Sequence, residues 1–297
     1  MLKLCRKYFF CFGIFFALLF FSCSKSSWKN SLEQAKNLSQ KKGKPILGFV
    51  WNDDSDSKIK ENVLSDKNFS SEMENDFVLS LIPVDEATKT LGIQKTPMFV
   101  LLSAEGFLLQ TIDFPNAEIF EAEKIKDNIQ NGETERQKIS SLIEKFKNSN
   151  RIEKIKNFDS LFSATPRQNR KPLMFFLSEI PYLDEKNESH LVGTYALEKA
   201  FFDSGEALEA GDVEKAIDIF CDTASLAVLS DGERLECFYT ASLILAASGS
   251  TDYERMLLLL QKAEESAPAS PENFFVQDSL SLVERMKKTY SGFLNEN

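Results

Sequence analysis

Leu91-Gly92-Ile93-Gln94-Lys95-Thr96-Pro97-Met98-Phe99-Val100 is the stretch on which the reading of the first half of the chain turns. It places a Thr-Pro step directly before an apolar run, Met98 to Leu102, of strand length. Phe107 to Ile112 is a second such run, and Ser103-Ala104-Glu105-Gly106 between them predicts a hairpin. Upstream, Ile46 to Trp51 and Phe77 to Val84 are further strand-length runs, with helical patterns from Ser57 to Met73 and again after Pro115. Trp28, Leu32, Ala35 and Leu38 recur at helical spacing, and the polar stretch Ser39 to Lys44 breaks that pattern before Pro45. Helices alternating with strands, then a hairpin and a closing helix, predict an α/β layer arrangement over residues 28–131.

Lys44-Pro45-Ile46-Leu47 leading into a strand, Val63-Leu64-Ser65-Asp66 after a helix, and the Leu91–Val100 stretch together resemble the thioredoxin-like family of secreted bacterial proteins. The resemblance implies a cis proline at Pro97, beside which an extended peptide pairs with the sheet edge, a geometry that X-Pro bonds adopt only in specific settings. It also locates the family's Cys-x-x-Cys pair, which falls here on Asp53 and Asp56, within Asn52-Asp53-Asp54-Ser55-Asp56-Ser57. Disulfide exchange needs one thiolate to attack and a second thiol to resolve. Carboxylates do neither, so a domain without redox chemistry or cofactor is expected.

Asp53, Asp54 and Asp56 have two readings. Carboxylates at a helix start serve as caps and meet the positive end of the helix dipole. Alternatively they form an acidic recognition lip with Trp51 beside Thr96 and Pro97. A calcium loop of EF-hand type is excluded: counted from Asn52, the sixth position is Ser57 instead of glycine and the twelfth is Val63 instead of glutamate. No other metal spacing is present, and His190 is the single histidine of the chain.

Strand signals end near Glu133, and residues 134–297 are expected to be helical. Ile139, Leu142, Ile143 and Phe146 mark one helical face, and Ile152, Ile155, Phe158, Leu161 and Phe162 another. Gly211-Asp212-Val213-Glu214-Lys215-Ala216-Ile217-Asp218-Ile219-Phe220 resembles the second helix of a tetratricopeptide repeat. A weaker copy begins at Asp252-Tyr253-Glu254-Arg255-Met256, with Leu260, Ala263 and Pro268 at later family positions. Stacked helical hairpins follow, each burying its face only against a neighbour. Cys221 and Cys237 flank the turn Ser230-Asp231-Gly232 at equal heights of such a hairpin, as a disulfide or as two core thiols.

The first residues carry a different message. Lys3, Arg6 and Lys7 precede an apolar run from Tyr8 to Phe21, of signal-peptide length and shorter than the roughly 20 residues that span a bilayer, which makes an uncleaved membrane anchor the weaker reading. Phe20-Phe21-Ser22-Cys23 resembles a bacterial lipobox, in the loose form of spirochaete lipoproteins. That resemblance implies removal of residues 1–22, acylation of Cys23 and a tether over 23–27, with anchorage to a bilayer by more than one acyl chain. The formal charge is −10, and loss of Lys3, Arg6 and Lys7 makes it −13, which argues against nucleic acid as a partner. The expectation is an extracytoplasmic, lipid-anchored lipoprotein that binds an envelope protein or peptide and is not an enzyme. The alternative is an accessory to thiol-disulfide exchange acting through Cys221 or Cys237.

Overall fold

The structure is a computed structural model that describes residues 27–114 and 119–295. Residues 1–22, Cys23 and nearly all of the tether thus lie outside the described residues. The chain divides into two compact units, Met1–Arg136 and Gln137–Asn297. It is mostly helical with one small mixed sheet.

In the first unit the order is α1 Leu32–Lys42, β1 Ile46–Trp51, α2 Ser57–Ser65, α3 Lys67–Met73, β2 Val78–Pro83, α4 Val84–Leu91, β3 Met98–Leu102, β4 Leu108–Asp113 and α5 Ala122–Asn131. The four strands lie in the order β2-β1-β3-β4. β1 and β2 are parallel, while β3 is antiparallel to both β1 and β4. A parallel bridge from Lys29 to Ser80 adds a single rung beyond β2. Sequence periodicity gave no sign of that rung.

Every residue of β1 and β3 is buried, because helices cover both faces of the sheet. On one face Leu47, Phe49, Leu79, Phe99 and Leu101 pack with Ile59 and Val63 of α2, Phe69 of α3 and Ile125 of α5. On the other, Ile46, Val50, Ile82 and Val100 meet Leu32 and Ala35 of α1 and Ala87 and Leu91 of α4. This is why the strands read as continuous apolar runs instead of alternating ones. Gly48 faces the second layer, where an added Cβ would lie 2.5 Å from Ile82 Cδ1 and 2.9 Å from Val100 Cγ2. Side-chain volume at that position is already occupied by its neighbours.

Two expectations need correction. Trp28 precedes the first helix, which starts at Leu32 with Ser31 as its cap and continues to Lys42, through the stretch expected to break it. Burial and hydrogen bonding explain this: Ser39 is fully buried and its hydroxyl donates to the Lys44 carbonyl just past the helix end, while Trp28 Nε1 donates to distant Ser70 Oγ at 2.9 Å. The Ser57–Met73 helical pattern is likewise two helices, broken at Asp66, whose carboxylate accepts from Phe69 N at 2.8 Å and caps the second.

The second unit begins within α6 Glu133–Asn148, followed by α7 Arg151–Ala164, short 3-10 turns at Arg167–Asn169 and Lys171–Ser178, and α8 Ile180–Leu183. The stretch from Pro172 to Pro181 is thus 3-10 followed by a single helical turn. Phe146, Phe158, Phe162, Phe176 and Tyr195 build one aromatic cluster there. Then come α9 Val192–Glu209, α10 Val213–Ala224, α11 Asp231–Ala247, α12 Tyr253–Ser266 and α13 Asn273–Asn295, each packed on the next.

Two loops in this stack repeat one solution. Gly211 and Gly249 take left-handed backbone, and Asp212 and Asp252 then cap α10 and α12 by accepting from Lys215 N and Arg255 N. Phe220, Met256, Leu260 and Ala263 belong to the shared core, and Ala216 is fully buried. The internal similarity in sequence therefore marks equivalent helix starts.

Candidate functional site

The C-terminal end of β1 brings the expected recognition residues together. Val50 pairs with Met98 on β3, so Trp51 lies one step further along, level with Pro97, and on its other side it pairs with Pro83 of β2. The Thr96-Pro97 peptide is cis. Trp51 is buried, and its Nε1 has no hydrogen-bond partner among the described residues. Over its ring lies the ammonium of Lys60, 2.8 Å from the centroid, held by the first turns of α2.

The three aspartates after Trp51 separate into different roles. Asp56 is buried, and its carboxylate accepts from Asn52 N at 2.8 Å and from Ser55 Oγ at 2.8 Å. It occupies the position before α2, yet makes no side-chain cap bond there. Its work is to close the loop back onto the end of β1, which Asp56 N also does by donating to the Asn52 carbonyl at 2.9 Å. Asp54 and Asp53 face solvent. Asp54 N donates to Asn52 Oδ1, and Asp53 lies 3.9 Å from Lys60 Nζ. Only Asp53 and Asp54 are thus available to a partner as an acidic lip.

Chemically, this corner offers an apolar wall, one ammonium and two exposed carboxylates. Among the described residues it contains no thiol. Sequence reading missed Lys60; the signal for it was spacing, since a lysine four residues after Asp56 sits one helical turn on and points back towards β1.

Cys221 and Cys237 are free thiols, so the disulfide alternative is not realised in the structure. Both belong to the stack core: Cys237 is buried, with Cys221 half-buried beside it. Burial pushes the Cys237 thiol up to about 12, helped by the nearby Glu236 and Glu233 carboxylates, and burial raises Cys221 as well. His190 is exposed, with left-handed backbone, at the approach to α9. Among the described residues no group of three or more His, Cys, Asp or Glu side chains is arranged to hold a metal ion. Nor is any helix among them long and apolar enough to cross a membrane.

Comparison with curated proteins finds none that matches this chain. Residues 191–291, which cover α9 to α12 and most of α13, match the model of a family described as an uncharacterised protein C-terminal domain, a match consistent with a spirochaete origin.

Proposed function

We propose that the protein is a lipoprotein anchored through acylated Cys23, carrying a thioredoxin-like domain without redox chemistry and a tetratricopeptide-like helical stack, and that it binds a protein or peptide of the cell envelope. The observation that carries this reading is the corner where β1 ends. The cis Thr96-Pro97 step lies beside Trp51, as the resemblance implies, while the residues at the Cys-x-x-Cys positions are Asp53 and Asp56. Asp56 is already committed to closing its own loop. Strand order and direction, with β1 parallel to β2 and antiparallel to β3, support the same family. What such a corner retains is recognition without exchange.

Crosslinking from position 53 or 96 in intact cells tests this reading. Recovery of a defined envelope protein, weakened by Trp51→Ala, is the expected outcome. Absence of any joined protein, or tight binding of a small metabolite instead, overturns it. Labelled palmitate tests the anchor separately: incorporation is expected in the native chain and absent in Cys23→Ser. The thiol-exchange alternative would require a reactive cysteine, and thiols held in protonated form by burial provide little thiolate for it.

A further inference from the structure

Helix α13 shows solvent a stripe of apolar side chains that its core leaves largely uncovered, although at its end the Tyr290 ring also meets Tyr253 of α12 with centroids 5.7 Å apart. Val276 and Val283 turn inwards to the stack. Phe275 (60% exposed), Leu282 (50%), Met286 (46%) and Tyr290 (41%) lie on the adjoining side of the helix. Their spacing, seven, four and four, keeps them in one line along the axis. An apolar line of this length, edged by charge, is the kind of surface that marks an interaction.

We propose that this stripe is the interface of a homodimer in which α13 pairs antiparallel with α13 of a second copy. Charge placement selects this occupant. Asp278 and Arg285, both exposed, flank the stripe on one side, seven residues and thus about 10 Å apart along the helix. A twofold axis passing by Leu282 sets that residue against its own counterpart. The same axis brings Asp278 of each copy opposite Arg285 of the other, since the two lie nearly equidistant from Leu282. Phe275 then meets the Tyr290 end of the partner helix. A parallel twofold would place this flank of the two copies on opposite sides of the seam, where the two charges do not meet. An isologous contact of this kind uses one patch twice, so a single helix face is enough to build it. Its area is that of one helix pair, below the usual 1,200–2,000 Å² of stable complexes, so the dimer is of the weak, transient class.

Sedimentation equilibrium over about 5 to 200 µM, on the chain with residues 1–22 removed and Cys23→Ser, tests it while leaving both units intact. A concentration-dependent dimer is expected. Leu282→Glu should weaken it at least roughly tenfold with the helical circular dichroism unchanged. Asp278→Arg and Arg285→Asp should each weaken it, and the double exchange should restore it, because the swapped pair is again complementary. A monomer throughout the range, a dimer indifferent to Leu282→Glu, or a double variant no better than the singles overturns the proposal.

Discussion

The ammonium of Lys60 rests 2.8 Å from the centroid of the Trp51 ring, and 3.9 Å from the Asp53 carboxylate. A residue of α2 thereby covers the last residue of β1 and links the buried indole to the exposed acid. Replacing Lys60 by Gln should cost about 1 kcal/mol or less, in line with a partly solvated cation–π contact. In a Trp28→Phe background, which leaves Trp51 as the only indole, Lys60→Gln should change the emission of the folded protein. An unchanged spectrum would mean that the contact is not formed in solution.

Asp56 and its neighbours should differ sharply in urea denaturation. Asp56→Ala removes a buried acceptor and strands Asn52 N and the Ser55 hydroxyl, a loss of about 2 kcal/mol or more. Asp53→Ala and Asp54→Ala, both at exposed positions, should stay within about 0.5 kcal/mol. Equal effects at the three positions would contradict the separation of roles.

Gly48→Ala is expected to destabilise the first unit by about 1–3 kcal/mol, through overpacking against Ile82 and Val100. Neither neighbour has room to withdraw, since both are fully buried. Combining Gly48→Ala with Ile82→Val, which removes the Cδ1 atom nearest the new methyl, should recover part of the loss in thermal unfolding.

Ser230 and Glu233 form a reciprocal capping box at the start of α11, in which Glu233 N donates to Ser230 Oγ and Ser230 N to Glu233. Ser230→Ala should cost about 1 kcal/mol. Asp212→Ala and Asp252→Ala should cost similar amounts, because each removes an N-cap acceptor at an equivalent loop. Guanidinium midpoints of the three variants provide the measurement.

The thiols of α10 and α11 predict a pH dependence. Their folded values are raised, so above the ordinary thiol value of 9.0 the unfolded chain releases protons that the folded chain keeps. Stability from these groups is complete below that value and declines as pH rises from it towards 12. Comparing native protein with Cys221→Ala/Cys237→Ala at about pH 8 and about pH 10.5 isolates the effect from lysines and tyrosines, and the native chain should lose more. Alkylation of the folded protein at neutral pH should be slow at Cys237 and faster only after unfolding.

Much of this architecture could be read from local pattern. Continuous apolar runs marked β1, β2 and β3, the Ser103–Gly106 break marked the hairpin, and helical spacing marked the faces of α6, α7 and α10. These follow from the chain alone because strand and helix periods repeat over a few residues, and burial of one face is decided by that repeat. The equivalent starts of α10 at Asp212 and α12 at Asp252 were legible as an internal similarity, because a cap is a local hydrogen bond between residues three apart.

What only the tertiary structure decided was where individual polar groups went. Nothing in Asn52-Asp53-Asp54-Ser55-Asp56 distinguishes its acids; the fold buries Asp56 because that carboxylate satisfies two donors where the chain leaves β1, and leaves the other two in water. Trp28 and Ser39 were assigned to a helix face and to a helix break, yet distant Ser70 holds the one outside α1, and burial with a bond to the Lys44 carbonyl keeps the other inside it. The absence of a thiol pair at this corner was legible from the positions of the five cysteines, none of which lies near Asp53 or Asp56. That Lys60 covers Trp51 there, and that α13 leaves Leu282 uncovered, depended on contacts between residues which sequence order does not bring together.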